Sequence, residues 1–334
     1  MKPKLLIVEL WGLGDLVIAT PLLRAAIERF DVTLLAKPYA LDLQRRLWPG
    51  VRVVPFIAPW TAFNNKYRLW RWPWREIVRL RNRMAGEHFE FGLSARLITT
   101  PPLSGDPRDH LLLKIFGVQR RIGFPFRHRR FFLTQAVVHP EPEAHRYESW
   151  RAVARALDIE LPPREKLSSP VAPRRETVLI HSGAGQPVRV WPLENYRRLA
   201  ARLRGNKIPV QIACDPDQRD WWLRAGENTV VTPATVTELI TLTDRAGAFI
   251  GNDSGPGHLA AFCGVPTFTL FGPQLPEWFA PLHPQAEWIA GKACPYMPCS
   301  DYCRFPKPYC LWNLSEEEVG ARVEKLIVKN LPTD

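Results

Sequence analysis

Residues 5–10 (LLIVEL) form a short apolar run that stops at Trp11-Gly12-Leu13-Gly14-Asp15, and over residues 16–30 the apolar positions take helical spacing. Apolar run, glycine turn and helix, in that order, predict the opening of a doubly wound α/β domain. Residues 32–35 predict the next strand. Residues 48–135 are crowded with Trp, Arg and Pro and show no clear period, and no internal repeat is visible. A second series starts with residues 178–181, which lead into Ser182-Gly183-Ala184-Gly185 and a helical stretch over 196–203. Residues 210–213 read as a strand before the turn Asp215-Pro216-Asp217. Residues 248–251 run into Asn252-Asp253-Ser254-Gly255-Pro256-Gly257, a helix begins near His258, and 265–271 is a further strand. Ser315 followed by Glu316-Glu317-Glu318 predicts a last helix with a hydroxyl cap and acids in its first turn.

Between the two series, residues 161–175 (LPPREKLSSPVAPRR) hold four prolines and no apolar period, the composition of a linker. The expected organisation is a Rossmann-like domain over 1–165, a linker over 166–176, a second Rossmann-like domain over 177–314 and a closing helix over 315–334. Two such domains would leave a cleft, a usual place for ligands. Composition agrees: 334 residues, 46% hydrophobic and 23% charged, exclude a disordered or fibrous chain.

Charge changes the picture more. The net charge is +12, and residues 1–165 hold 27 Lys and Arg against 16 Asp and Glu, while the remainder is nearly balanced. A partner rich in phosphate or carboxylate would meet the first half. Lys2 and Lys4 precede an apolar run, as in a signal peptide, but Glu9 and Asp15 interrupt it. No stretch reaches the roughly 18 apolar residues of a membrane span, so a cytoplasmic protein is expected.

Three glycine turns carry candidate chemistry. Strand, Asp-Ser-Gly-Pro-Gly and helix place the backbone amides around Asp253, Ser254, Gly255, Gly257 and His258 at a helix N-terminus, which suits a phosphate. An ordinary capped turn would use the same residues. Ser182, Gly183, Ala184 and Gly185 make a similar concave backbone, and Arg189 follows before Trp191-Pro192, placed to reach an anion. Gly12-Leu13-Gly14-Asp15 is half of a dinucleotide fingerprint, but Val17 stands where a third glycine or alanine is needed. Asp15 either caps its helix or faces a cleft as a general base.

Cys294, Cys299, Cys303 and Cys310 are spaced C-x4-C-x3-C-x6-C in a proline-rich loop. Four thiols so close predict a structural zinc or iron site, with packed thiols or one reversible disulfide as the alternative. Cys214 and Cys263 are expected in the core. Residues 66–83 contain Lys66, Arg68, Arg71, Arg75, Arg79, Arg81 and Arg83 with Trp70, Trp72 and Trp74 interleaved; Arg120, Arg121, Arg127, Arg129 and Arg130 follow. This mixture suits an anionic membrane surface or glycan first, a solvated face second and nucleic acid last, because no nucleic-acid motif accompanies it.

Taken together these motifs resemble glycosyltransferase family 9, the ADP-heptose-dependent heptosyltransferases of lipopolysaccharide assembly. The likeness rests on Gly14-Asp15 with Thr20-Pro21-Leu22-Leu23, on Arg121-Ile122-Gly123-Phe124, and on Ser182-Gly183-Ala184-Gly185 with Arg189-x-Trp191-Pro192. Its strongest element runs from Gly251 through Asn252-Asp253-Ser254-Gly255-Pro256-Gly257-His258 to Gly264-Val265-Pro266-Thr267 and Leu270-Phe271-Gly272-Pro273. The resemblance implies a GT-B architecture, with acceptor on the N-terminal domain and nucleotide sugar on the C-terminal one. It implies an inverting transfer that needs no metal, with Asp15 as general base and Arg189 in place of the family's lysine at the diphosphate. Asp253 would hold the donor sugar, the Ser254, Gly255 and Gly257 amides would face the diphosphate, and His258 would be a donor contact or a packed residue. Gln218 stands nearest to the family's ribose-binding glutamate. The acceptor would be an anionic glycolipid met by Arg68, Arg71, Arg75, Arg120 and Arg121, at the inner face of the inner membrane. Transfer of another sugar to a protein or secondary metabolite, or a non-enzymatic basic module for membrane or nucleic acid, are the alternatives.

Overall fold

The computed structural model describes residues 2–61, 68–98, 104–167, 175–299 and 301–331. Lys66 and positions 168–174 of the expected linker lie outside the described residues. The chain divides into two compact units, Met1–Pro162 and Pro163–Asp334, at the first prolines of that stretch.

The first unit is built on strands β1 (Lys4–Glu9), β2 (Asp31–Ala36), β3 (Arg52–Pro55), β4 (Phe91–Leu93), β7 (Arg120–Gly123) and β8 (Gln135–Ala136), with a small antiparallel pair β5 (Leu97–Ile98) and β6 (Ser104–Gly105) beside them. The large sheet is parallel in the order β3-β2-β1-β4-β7-β8. β1 lies inside it with Leu5, Leu6, Ile7 and Val8 fully buried, which is why it reads as an unbroken apolar run. The helix expected over 16–30 is two helices, Leu13–Ile18 and Thr20–Arg29. Pro21 has no N–H to continue the first helix and suits the first turn of a second. The stretch that shows no period contains strands of two to four residues and the helix Trp74–Ala85, in which Met84 is buried and Ile77 and Leu80 pack partly against the core.

The second unit is a parallel sheet of β9 (Val178–His181), β10 (Val210–Ala213), β11 (Ala248–Asn252), β12 (Thr267–Phe271) and β13 (Glu287–Ala290), ordered β10-β9-β11-β12-β13. One face is covered by the helices Leu193–Gly205 and Glu316–Asn330, which bury Tyr196, Leu199 and Leu203 with Val319, Val323 and Leu326 at helical spacing. Ser315 caps the last helix, accepting from the Glu318 amide at 3.1 Å.

Both orders are doubly wound: strand order reverses once in each sheet, beside β1 in the first and beside β9 in the second. Ligands on such sheets sit beyond the carboxyl ends of the strands at this switch point. Gly12–Asp15 follows β1, Ser182–Gly185 follows β9 and Asp253 follows β11.

Candidate active site

At the second unit's switch point the loops are held by a buried amide. Asn252 Oδ1 accepts from the Trp191 amide at 2.9 Å and the Tyr196 hydroxyl at 3.0 Å, and its Nδ2 donates to the Ser182 carbonyl at 2.8 Å. Ser182 Oγ donates to Gln218 Oε1 at 2.8 Å and accepts from Trp222 Nε1 at 3.0 Å. Gln218 Nε2 donates back to the Ser182 carbonyl at 3.3 Å, so the Gln218 amide is spent on the loop. The Asp215 carboxyl lies against Gly183, where a Cβ would come within 2.3 Å of it, whereas Gly185 faces open space. Asn252→Ala is expected to leave the buried Trp191 amide and Tyr196 hydroxyl without this acceptor and to cost about 2 kcal/mol, read from the urea midpoint at unchanged m.

Arg189 sits in the single 3-10 turn Pro187–Arg189. Its Nε and Nη2 donate to the two oxygens of Asp301 at 2.6 and 2.7 Å, a bidentate fork. Its Nη1 donates to Asp253 Oδ2 at 3.2 Å. The guanidinium therefore lies beside the start of the helix Gly255–Phe262. Ser254 precedes that helix without capping it; its Oγ donates to the Asn252 carbonyl at 3.2 Å. His258 is buried within the helix. Asp253 and Arg189 thus come together as the sequence leads one to expect, while Asp301 and Asn252 are additions. Asp301 gives no sequence signal, being an acid in a cysteine-rich loop with φ of +73°, a left-handed conformation that Asp tolerates.

At the first unit's switch point Asp15 both caps its helix and faces a cleft. Its Oδ2 accepts from the Gly12 amide at 3.2 Å, capping the helix Leu13–Ile18, and it lines a cleft with Glu9, Arg96, Arg146 and Trp150. Arg96 Nη1 lies 3.7 Å from Asp15 Oδ1, and the guanidinium stacks 3.8 Å over the Trp11 ring. Among the described residues, Arg96 Nε is buried without a hydrogen-bond partner. Burial, then the Asp15 charge, pushes Glu9 up to about 8. Burial and the like charge of Arg96 bring Arg146 down to about 10, and burial lowers Lys37. Glu9, Lys37, Arg96 and Arg146 come from a strand, two loops and a helix far apart along the chain, so no local motif announces them.

The sequence pattern of glycosyltransferase family 9 (heptosyltransferase) matches residues 110–309, more than half of the chain and all of the Ser182 to Gly272 constellation. The chain belongs to glycosyltransferase family 9. Lipopolysaccharide heptosyltransferase 1 of Pseudomonas aeruginosa is 27% identical over 203 residues, covering 52% of this chain and 57% of that one. The chain thus spans little more than half the length of this curated relative. Among solved structures, a family 9 glycosyl transferase from Veillonella parvula superposes with a TM-score of 0.76 at 16% identity, covering 99% of each chain. The ADP-heptose lipopolysaccharide heptosyltransferase II of Escherichia coli gives 0.70 at 18% identity, covering 98% of this chain and 99% of that one. These likenesses carry the fold, two parallel sheets flanked by helices of GT-B type.

Family membership leaves two sequence expectations to be placed. The zinc or iron site at Cys294, Cys299, Cys303 and Cys310 is overturned: among the described residues no three His, Cys, Asp or Glu side chains form a group that could hold a metal. The four cysteines are free and line a small apolar cavity with Met297, Phe305 and Tyr309. Burial pushes Cys310 up to about 11 and raises Cys299, which favours thiols over the thiolates a metal binds. The basic residues fall into two places. Arg68, Arg71 and Arg75 are exposed around the helix Trp74–Ala85. Arg120 and Arg121 begin β7, whose register aligns Arg120 with Phe91 and so with Leu5, at the end of the sheet away from Asp15. Arg121 donates to the Phe132 and Val118 carbonyls at 2.5 and 2.6 Å and so braces the 118–134 segment.

Proposed function

We propose that the protein is an inverting, metal-independent heptosyltransferase that transfers heptose from ADP-heptose to an anionic glycolipid of the lipopolysaccharide inner-core type. The observation that carries this reading is the Arg189–Asp253 pair beside an uncapped helix N-terminus, within the span that matches the family. In this reading Asp15 takes the proton of the acceptor hydroxyl as that oxygen attacks the anomeric carbon. The bond from that carbon to the diphosphate oxygen breaks, and ADP leaves with the electron pair. Arg189 and the amides of Ser254 and Gly255 stabilise the charge gathering on the diphosphate, while the Gly257 amide, expected to join them, donates to the Ser254 carbonyl at 3.2 Å. Asp253 holds the donor sugar, and His258 lies within the helix that follows it. Ser182, Gly183, Ala184 and Gly185 bound the nucleotide, and Gln218 acts through Ser182. Proton transfer to a carboxylate comes late in such a displacement, so positioning supplies much of the rate.

Transfer of radiolabelled heptose from ADP-heptose to a deacylated or intact inner-core acceptor tests the reading. Transfer that depends on both substrates is the expected result. Binding of another nucleotide sugar in place of ADP-heptose across a panel would move the reading to a different donor.

The same proposal places the enzyme against the anionic inner face of the inner membrane. Among the described residues no helix is long and apolar enough to cross a membrane. Trp70 is 77% exposed and Trp74 49%, and exposed Val78 follows Trp74 by one turn on a helix that also presents Arg75 and Arg79. Trp72 instead packs between the tilted rings of Trp60 and Trp74, with centroids at 5.7 and 5.4 Å. Exposed tryptophan beside arginine fits an interface with anionic head groups. Sedimentation with vesicles rich in phosphatidylglycerol is expected to fall about tenfold in the Trp70→Ala/Trp74→Ala variant, and binding should weaken steeply with salt. Equal binding to neutral vesicles would remove the electrostatic part of the argument.

A further inference from the structure

We infer that Glu9 is a positioning residue for Asp15, holding through Trp11 the two contacts that orient the Asp15 carboxylate. The inference rests on the reading of Asp15 as the base. Glu9 ends β1 with its side chain buried, and its Oε1 accepts from the Trp11 amide at 3.0 Å. That bond fixes the Leu10–Trp11 peptide, one residue before Gly12, whose amide donates to Asp15 Oδ2 at 3.2 Å. It also fixes the Trp11 ring on which Arg96 lies, and Arg96 faces Asp15 Oδ1 at 3.7 Å. The Tyr39 hydroxyl locks the same residue from the other side, donating to the Trp11 carbonyl at 2.9 Å. One buried carboxyl thus sits at the root of both arms that hold the base.

The arrangement works best with Glu9 neutral. An ionised Glu9 in this cleft would set a second carboxylate against Asp15 and draw Arg96 toward itself. Its surroundings favour the neutral acid: burial first, then the charges of Asp15 and Asp109, outweigh Arg96 and the Trp11 amide. Lys37, Tyr39 and Arg146 also sense the Glu9 charge. With Glu9 raised to about 8 from an ordinary value of 4.5, the folded state binds the extra proton between those limits. Stability from this group is therefore greatest below pH 4.5 and is lost progressively as pH rises to about 8.

Glu9→Gln keeps an acceptor oxygen for the Trp11 amide and cannot ionise; Glu9→Leu removes the acceptor. The expected result is near wild-type kcat for Glu9→Gln at pH 7, with the alkaline fall near pH 8 abolished and the melting temperature less dependent on pH. Glu9→Leu should lower kcat about tenfold, leave KM for ADP-heptose unchanged, and cause no further loss in an Asp15→Asn background. Additive losses in that double variant, or an alkaline fall that persists in Glu9→Gln, overturn the inference. Wild-type protein inactive with ADP-heptose would instead overturn the proposed function. The Glu9 inference is then decided by NMR: the Trp11 and Gly12 amide signals should titrate near pH 8 in wild type and not in Glu9→Gln, and their failure to do so overturns it.

Discussion

Asp15→Asn is expected to lower kcat about 10³-fold while leaving folding and ADP binding nearly unchanged. The amide oxygen of asparagine can still accept from the Gly12 amide, so the cap of the helix Leu13–Ile18 survives. What is lost under the proposed function is the proton acceptor, whose contribution in such reactions is on the order of 10²–10⁴. The ion pair with Arg96 is lost too, but it spans 3.7 Å between side chains that both keep about a quarter of their surface in water. Pairs of that kind contribute up to about 1 kcal/mol, so the melting temperature should move little. Steady-state kinetics beside calorimetric titration with ADP separates the two effects. A variant retaining a tenth of wild-type kcat would remove Asp15 from the base role, and Glu9 is no ready substitute because its burial holds the proton at neutral pH.

Much of this was legible before any coordinate, and the reasons are physical. β1 and β9 are buried on both faces and therefore announce themselves as apolar runs. Asp15 and Asp253 stand beside glycines at strand ends, where few residue types fit and a switch point lies close by. The interrupted helix at Ala19 was written in Pro21, but helical spacing before and after it hides the break. Asp301 and Asn252 were silent because their roles arise from contacts across the fold: Asp301 meets Arg189 from a distant loop, and Asn252 joins two loops and a helix. Glu9 reads along the chain as a flaw in an apolar run, and only the cleft shows why a carboxyl belongs there. The cysteines erred the other way: close spacing along the chain did not become a donor set in space.

The second large effect is expected at Arg189. This one side chain faces two carboxylates, Asp301 bidentately and Asp253 at 3.2 Å, with the Asp253 side chain only 4% exposed. Arg189→Ala leaves both acids facing each other across the place where a diphosphate would add more negative charge. Breaking a fully buried pair costs about 3–5 kcal/mol. Here roughly 2 kcal/mol is expected, because Arg189 and Asp301 each keep about a fifth of their surface in water. Affinity for ADP should fall by about 10²-fold or more, since the cation is removed and two anions are uncovered together. Arg189→Lys should recover part of the loss: it keeps the charge but cannot fork. The double variant Arg189→Ala/Asp301→Asn distinguishes the two contributions. If uncovered carboxylates repel the diphosphate, removing one of them should restore ADP affinity several-fold over Arg189→Ala alone, and the difference should shrink at high salt. If the affinities of the single and double variants are equal, Asp301 is only a support for the arginine, and the whole effect belongs to the lost guanidinium.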